Sequence, residues 1–228
     1  TYMNKNDEIF CPPAIDYYQN VRSELAEYVN KGDNLVLDVG CGAGNLGEYL
    51  KMTGRAKNVI GVEINEAAAS EALTRLDQVV CANLNQASVI DVLKDFDKAS
   101  FDYIICADVL EHLIDPWEIL EEFVSYLKPG GQLVTSIPNV RHWSVWLPLI
   151  LRGQWEYHEE GIMDRTHLRF FTRFSAIGLL NRAGLDVNTI RPLIGGKWNS
   201  LNKLSMGLFE ELLSVQFVFV GVLKTGPE

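Results

Sequence analysis

Residues 35–44 read Leu-Val-Leu-Asp-Val-Gly-Cys-Gly-Ala-Gly, a grouping able to hold a ligand by its main chain. An apolar, β-branched run around Asp38 is a buried parallel strand that delivers a carboxylate to its C-terminal edge. Gly40, Gly42 and Gly44 then make a turn in which no Cβ keeps a ligand from the backbone. The helix expected from about Asn45 points its free N–H groups at that turn. Such a site suits a nucleoside-containing ligand with a carboxylate tail. Farther on, Glu63 closes Val-Ile-Gly-Val-Glu, where a carboxylate can accept two hydrogen bonds from a ribose diol.

A rival reading uses the same glycines. Gly42-Ala-Gly44-Asn-Leu-Gly47 fits the dinucleotide fingerprint G-x-G-x-x-G, with Glu63 at nearly the right distance. Counted from Gly40, the first glycine after the strand, the third glycine's place falls to Asn45. Asp38 beside the turn repels a pyrophosphate but attracts an ammonium. A nicotinamide-dependent dehydrogenase therefore ranks behind a ligand with an ammonium group.

The elements that must position these groups alternate from Leu35 to about Val134, the mark of a parallel α/β sheet. Strands are expected at Leu35–Val39, Asn58–Glu63, Gln78–Cys81, Phe101–Ala107 and Gly131–Ile137. Helices are expected near 45–52, 66–76, 86–95 and 116–128. The last of these has Asp115 as N-cap, Pro116 at its first position and Lys128-Pro129-Gly130-Gly131 as a stop. An amphipathic helix over Ala14–Asn30 precedes the sheet. A helix at 173–183, a strand at Leu185–Ile190, an amphipathic segment at 192–213 and a strand at Phe217–Leu223 complete the chain. No linker divides it, so residues 1–228 read as one domain. Within it stand an N-terminal helical segment, 1–33, and two insertions, 138–171 and 192–213.

The pattern Asp38-x-Gly40-x-Gly42-x-Gly44 resembles motif I of the class I S-adenosylmethionine (SAM) methyltransferases. Residues 101–112, ending in Leu110-Glu111-His112, resemble motif IV of small-molecule members, and Lys128-Pro-Gly-Gly-Gln-Leu-Val resembles the turn into the fifth strand. The resemblance implies a Rossmann-like α/β fold: a seven-stranded, mostly parallel sheet with helices on both faces and a terminal antiparallel strand. It implies SAM as cofactor, cradled by Asp38, Gly40, Cys41, Gly42 and Gly44, with Glu63 on the ribose and Ile64 against the adenine. Such proteins often carry Asp where Asn83 stands before Leu84; its side-chain carbonyl can accept from the adenine amino group, or Asn83 is a turn residue. Ala107, at the end of its strand, faces the methionine part. Tyr18 and Arg22 lie where such proteins place a residue near the cofactor carboxylate; a surface ion pair is the other reading of Arg22.

Methyl transfer from a sulfonium needs proximity, alignment and exclusion of water, and a hydroxyl acceptor also needs a base. Three of the four histidines, His142, His158 and His167, fall in the irregular segment 138–171. His167 is the first candidate base, His112 the second and His142 the third; packing or capping is the competing reading of each. No carboxylate cluster has ligand spacing, so no metal is expected. Segment 137–172 resembles a subgroup of bacterial methyltransferases associated with surface-polysaccharide synthesis, which implies a sugar or glycan acceptor. Trp143, Trp146, Trp155 and Tyr157 can stack on a ring, and Arg141, Arg152, Arg165 and Arg169 can hold a phosphate or carboxylate. A hydrophobic lid or homodimer contact is the alternative. The expected activity is methyl transfer to a small-molecule or glycan acceptor at a hydroxyl oxygen. A noncatalytic SAM-binding regulatory or assembly module stands second and the dehydrogenase third.

The 228 residues carry 30 acidic against 20 basic side chains, a formal charge of −10. That field makes the chain a poor general ligand for nucleic acid. Cysteines at 11, 41, 81 and 106 show no metal spacing, and three fall in or after expected buried strands, which suits a reducing, cytoplasmic setting. No apolar run approaches the ~18 residues of a membrane span, and the start lacks a signal-peptide pattern.

Overall fold

The computed structural model describes residues 22–224. Four strands occupy the spans their apolar runs set: β1 (Leu35–Val39), β2 (Asn58–Glu63), β3 (Gln78–Cys81) and β4 (Phe101–Ala107). With β5 (Leu127–Pro138), β6 (Leu185–Ile194) and β7 (Ser214–Leu223) they form one sheet of order β3-β2-β1-β4-β5-β7-β6. Strands β1 to β5 pair in parallel, and β7 runs antiparallel to both β5 and β6. This is the Rossmann-like sheet with an antiparallel final strand. The chain steps from β1 to β3 in one direction and returns to lay β4 on the other side of β1. The crevice at the carboxyl ends of β1 and β4 is therefore the switch point where open α/β sheets bind ligands.

Alternation along the strands feeds two cores. Leu37, Val39, Ile104 and Cys106 enter one, and Val36, Tyr103 and Ile105 the other. Helices α4 (Val89–Val92), α5 (Pro116–Val124) and α7 (Arg173–Arg182) fill the first with Val92, Leu120, Phe123 and Leu179. Helices α1 (Ser23–Ala26), α2 (Asn45–Met52) and α3 (Glu66–Ala72) fill the second with Leu25, Leu46, Leu50 and Ala72. Each fully buried Leu of this kind contributes ~1.5–3 kcal/mol, so the cradle between β1 and α2 is carried on a stiff support.

The differences from the sequence expectation have local causes. Helix α5 starts as expected, with Asp115 Oδ1 accepting from Trp117 N and Glu118 N at 3.1 and 3.0 Å. It stops at Val124, because Leu127 already pairs with Phe101, and the Pro-Gly-Gly sequence lies inside β5. Gly130, at φ 77°, takes up the register slip there. Strand β6 runs past Pro192, which an outermost strand tolerates because its missing N–H can face away from the ladder. Helices α3 and α4 are shorter than expected; the Ser88 side chain caps α4 only from Val89. Of the helix expected at 14–30, the described part is helical over Ser23–Ala26, and Tyr18 lies outside the described residues. Cys41 and Cys106 are buried, but Cys81 ends the edge strand β3 and is exposed; Cys11 lies outside the described residues. Segment 138–171 opens with α6 (Trp143–Arg152), and 192–213 holds α8 (Gly196–Leu204) and α9 (Glu210–Leu213). Among the described residues no helix is long and apolar enough to cross a membrane.

Candidate functional site

The glycine turn is left-handed at each position the sequence singled out, with φ 71° at Gly40, 54° at Gly42 and 84° at Gly44. A Cβ on Gly40 would lie 2.6 Å from Cγ2 of Val109, so any side chain there forces the neighbouring motif aside. Gly40 N and Cys41 N both donate to Val62 O, at 2.8 and 3.1 Å, pinning the turn to β2. Glu63 is 4% exposed. Its Oε2 accepts from Gly42 N at 2.9 Å and its Oε1 from Ile64 N and Asn65 N at 3.0 and 2.9 Å. A carboxylate offers about four lone-pair directions, so this arrangement leaves room for one more strong bond rather than two.

Asp38 is buried, and its Oδ2 has no hydrogen-bond partner. Burial, reinforced by Glu63, raises its carboxyl to about 7. A buried, orphaned acceptor beside the left-handed glycine turn fits the cofactor implied by the motifs, whose ammonium needs such a partner. Cys41 packs its Sγ toward Gly61, where a Cβ would lie 2.6 Å from it, so its side chain is core while its amide shapes the turn. Ile64 is half-buried at the rim of this cradle. Asn83 Oδ1 accepts from Asn85 N at 2.9 Å, the turn role, and Leu84 packs on the core. Ala107 ends β4 at the crevice.

Arg22 reaches the same edge but is engaged. It pairs with the carboxylates of Asp108 and Glu24, and its Nη2 lies 3.2 Å from Ser136 Oγ. Asp108 also accepts from Ser136 Oγ at 2.9 Å, and it adopts φ 54°, a costly conformation for a residue with a Cβ. Sequence reasoning passed over Asp108. Its signal was its place as the first residue after β4.

The 3-10 turn Leu110–His112 brings the histidines together. The rings of His112 and His167 meet edge-on with centroids 4.8 Å apart. His112 Nδ1 lies 3.2 Å from both Thr166 O and Thr166 Oγ1, and Thr166 Oγ1 donates to Asp164 Oδ1 at 2.7 Å. A carbonyl can only accept, so Nδ1 carries the proton and Nε2 holds the free lone pair. Burial, with His167 second, holds His112 below the usual histidine value. His167 is 8% exposed and spends Nδ1 on Ile162 O at 3.0 Å; its Nε2 lies 4.0 Å from Glu111 Oε1. Glu111 is wholly buried with both oxygens unpartnered, and that burial pushes its carboxyl well above the usual range. Its backbone oxygen accepts from Leu168 N and Arg169 N at 2.8 and 3.0 Å, which sews segment 164–169 to the turn. Glu111, His112 and His167 each offer a ligand atom, all within 4.8 Å of one another, a set that sequence spacing could not reveal. His142 stands apart as the N-cap of α6, with Nδ1 2.7 Å from Ser144 Oγ and accepting from Ser144 N at 3.3 Å.

The chain matches the family model described as a methyltransferase domain over residues 14–190. It is 34% identical over 182 residues to a ubiquinone biosynthesis O-methyltransferase of Pseudomonas fluorescens SBW25, covering 78% of this chain and 75% of that one. The protein of the same name from Pseudomonas aeruginosa UCBPP-PA14 is 34% identical over 171 residues, covering 74% and 70%. Among solved structures, a SAM-dependent methyltransferase from Archaeoglobus fulgidus superposes with TM-score 0.64 at 21% identity, over 92% of this chain and 94% of that one.

Proposed function

The chain belongs to the class I SAM-dependent methyltransferases, and on that premise we propose that it moves a methyl group to a hydroxyl oxygen of a small-molecule or glycan acceptor, with His112 as the base. The dinucleotide reading of Gly42–Gly47 gives way to the family. SAM, when bound, supplies an electrophilic methyl on a sulfonium. Asp38 would accept from its ammonium and Glu63 from its ribose, while the Gly40, Cys41 and Gly42 amides, spent on Val62 and Glu63, fix the shape of the turn. Arg22 pairs with its carboxylate on release from Asp108. Residues 1–228 act as one methyltransferase domain, with 138–171 on the acceptor side.

The observation that carries this reading is the fixed tautomer of His112, at the sheet edge that also holds the glycine turn. Its Nδ1–H is held by Thr166, so Nε2 is ready to take the hydroxyl proton as the new O–C bond forms. His167, more buried and tied to Ile162, then backs the His112 ring, reversing the order that sequence reasoning gave these two residues. The O-methyltransferase names of the relatives support oxygen as the acceptor atom. The test is S-adenosylhomocysteine release across panels of phenols, sugars and amines, with thermal shift by SAM and by NAD as controls. Transfer confined to amines, or NAD binding in place of SAM, removes the proposal.

A second reading rests on the orphaned Glu111 carboxylate: Glu111, His112 and His167 hold a divalent cation, and His112 is then a ligand. Dialysis against a chelator separates the two. Turnover lost and restored by a divalent metal supports the cation, and unchanged turnover supports the base.

A further inference from the structure

Three of the four arginines that the sequence offered as anion holders are occupied elsewhere. Arg141 pairs with Glu211, Arg165 Nη2 with Glu159 at 2.9 Å, and Arg169 Nε donates to Ile114 O at 3.0 Å. A cavity of 120 Å³ lies between α6 and the loop that follows it, walled by Val145, Pro148, Trp155 and Met163, with Glu156 and His158 among its polar lining. The loop is closed on itself by His158 N donating to Met163 O at 2.8 Å and Arg165 N to His158 O at 3.0 Å. The volume is on the scale of one ring, since a cavity of about 150 Å³ admits benzene. Ring contacts run from the cavity wall to the histidines: Trp155 to Phe170 at 5.4 Å, Phe170 to His167 at 6.4 Å and His167 to His112 at 4.8 Å.

Charge decides what kind of ring fits. Residues 153–164 contain Glu156, Glu159, Glu160 and Asp164 and no Lys or Arg. Arg165 answers only Glu159 among these in the contacts above. We propose that this cavity is the subsite for a ring of the methyl acceptor, and that its acidic rim selects uncharged or cationic rings over anionic ones. The proposal rests on the reading of segment 138–171 as the acceptor side. Apolar walls gain by drying a ring face, while an acceptor carboxylate would sit beside Glu156 with no Lys or Arg in the cavity lining to answer it. A cationic substituent meets the opposite situation, with Glu156 for its charge and the half-exposed Trp155 face for its bulk.

Three phenols of similar size make the test: 4-ethylphenol, tyramine and 4-hydroxyphenylacetate, respectively uncharged, cationic and anionic. Binding to protein loaded with S-adenosylhomocysteine is followed by ligand-observed NMR. The first two bind at least about tenfold more tightly than the third, because selection here works by an unanswered like charge. Glu156→Gln narrows that gap. Met163→Trp fills the cavity and abolishes ring binding, with S-adenosylhomocysteine affinity reporting that the variant is folded. Should it not fold, Trp155→Ala, at a half-exposed wall position, weakens all three probes together. Equal binding of the three phenols, binding of none, or ring binding untouched by these changes overturns the subsite. Methyl transfer to hydroxyls that ignores the changes leaves the proposed function standing without this cavity. Ring binding with no transfer to any hydroxyl removes that function instead.

Discussion

The cofactor side and the proposed acceptor side of the sheet's carboxyl edge are built in opposite ways. On the cofactor side, residues 38–44 are contiguous, and their neighbours Val62, Glu63 and Val109 stand at or just past the ends of adjacent strands. Backbone amides hold the functional carboxylate, so the geometry follows once β1 and β2 pair. On the proposed acceptor side, side chains from distant segments hold one another. His112 depends on Thr166 and Asp164, and Asn139 Nδ2 on the carbonyls of Glu211 and Ser214, at 2.7 and 2.9 Å. A local design tolerates change in the rest of the chain, whereas an assembled one loses function when any contributor moves.

The largest effect that would break this contrast is at His112. His112→Ala should lower turnover by ~10²–10⁴-fold, the usual worth of a positioned base, while SAM affinity by calorimetry stays close to wild type. A matching loss of SAM affinity would mean that the two sides are one cooperative unit. Next in size is Glu63→Ala. It removes the acceptor for three amides and for the proposed ribose bond, and it should weaken SAM binding at least about tenfold, since bonds to a charged group are worth ~1.5–3 kcal/mol each. Unchanged affinity would remove Glu63 from the ribose site.

The contrast also explains what the sequence could disclose. The first four strands and the Asp38–Gly44 turn were legible because their signals are local: apolar runs, glycines at a turn and a carboxylate at a strand end. The order proposed for the histidines was not, because whether a ring nitrogen is free depends on Thr166 and Ile162 folding back onto it. His142 read as a candidate base from its neighbourhood, yet its own next turn consumes it as a cap. The arginines read as anion holders by type alone, yet Arg141 pairs with Glu211, 70 residues away, and Arg169 with the Ile114 carbonyl, 55 residues away. The full extent of β6 was hidden by Pro192, whose meaning changes once the strand is known to be outermost.

A smaller effect sharpens the comparison from the cofactor side. Asp38 is held near 7 by burial and Glu63, above the ~3.9 of an unfolded chain. A group whose folded value is raised favours the fold below its unfolded value, and that contribution is lost as pH rises to the folded value. Stability of the cofactor-free protein should therefore fall between about pH 4 and 7. Asp38→Asn should flatten that slope in thermal melts, raise the melting temperature above pH 7 and weaken SAM binding. A slope unchanged by Asp38→Asn would show that the carboxylate is not the strained group.

The smallest effect tests the assembled side through one atom. Thr166→Val keeps shape and volume but removes Oγ1, which both faces His112 Nδ1 and donates to Asp164. The backbone oxygen of Thr166 still holds the imidazole N–H, so the tautomer survives while the ring loses one of two tethers. A single net hydrogen bond is worth ~0.5–1.5 kcal/mol, so turnover should fall by roughly two- to tenfold, far less than for His112→Ala. Because Thr166 is assigned to orienting the base rather than to binding, the loss should appear in kcat, with KM for SAM unchanged. Thr166→Ser restores the hydroxyl without the methyl and should recover most of kcat, whereas a role in packing alone predicts that Val is the benign replacement and Ser the harmful one. If Val keeps full turnover and Ser does not, the Asp164–Thr166–His112 chain is scaffolding, and the backbone oxygen of Thr166 alone orients the ring.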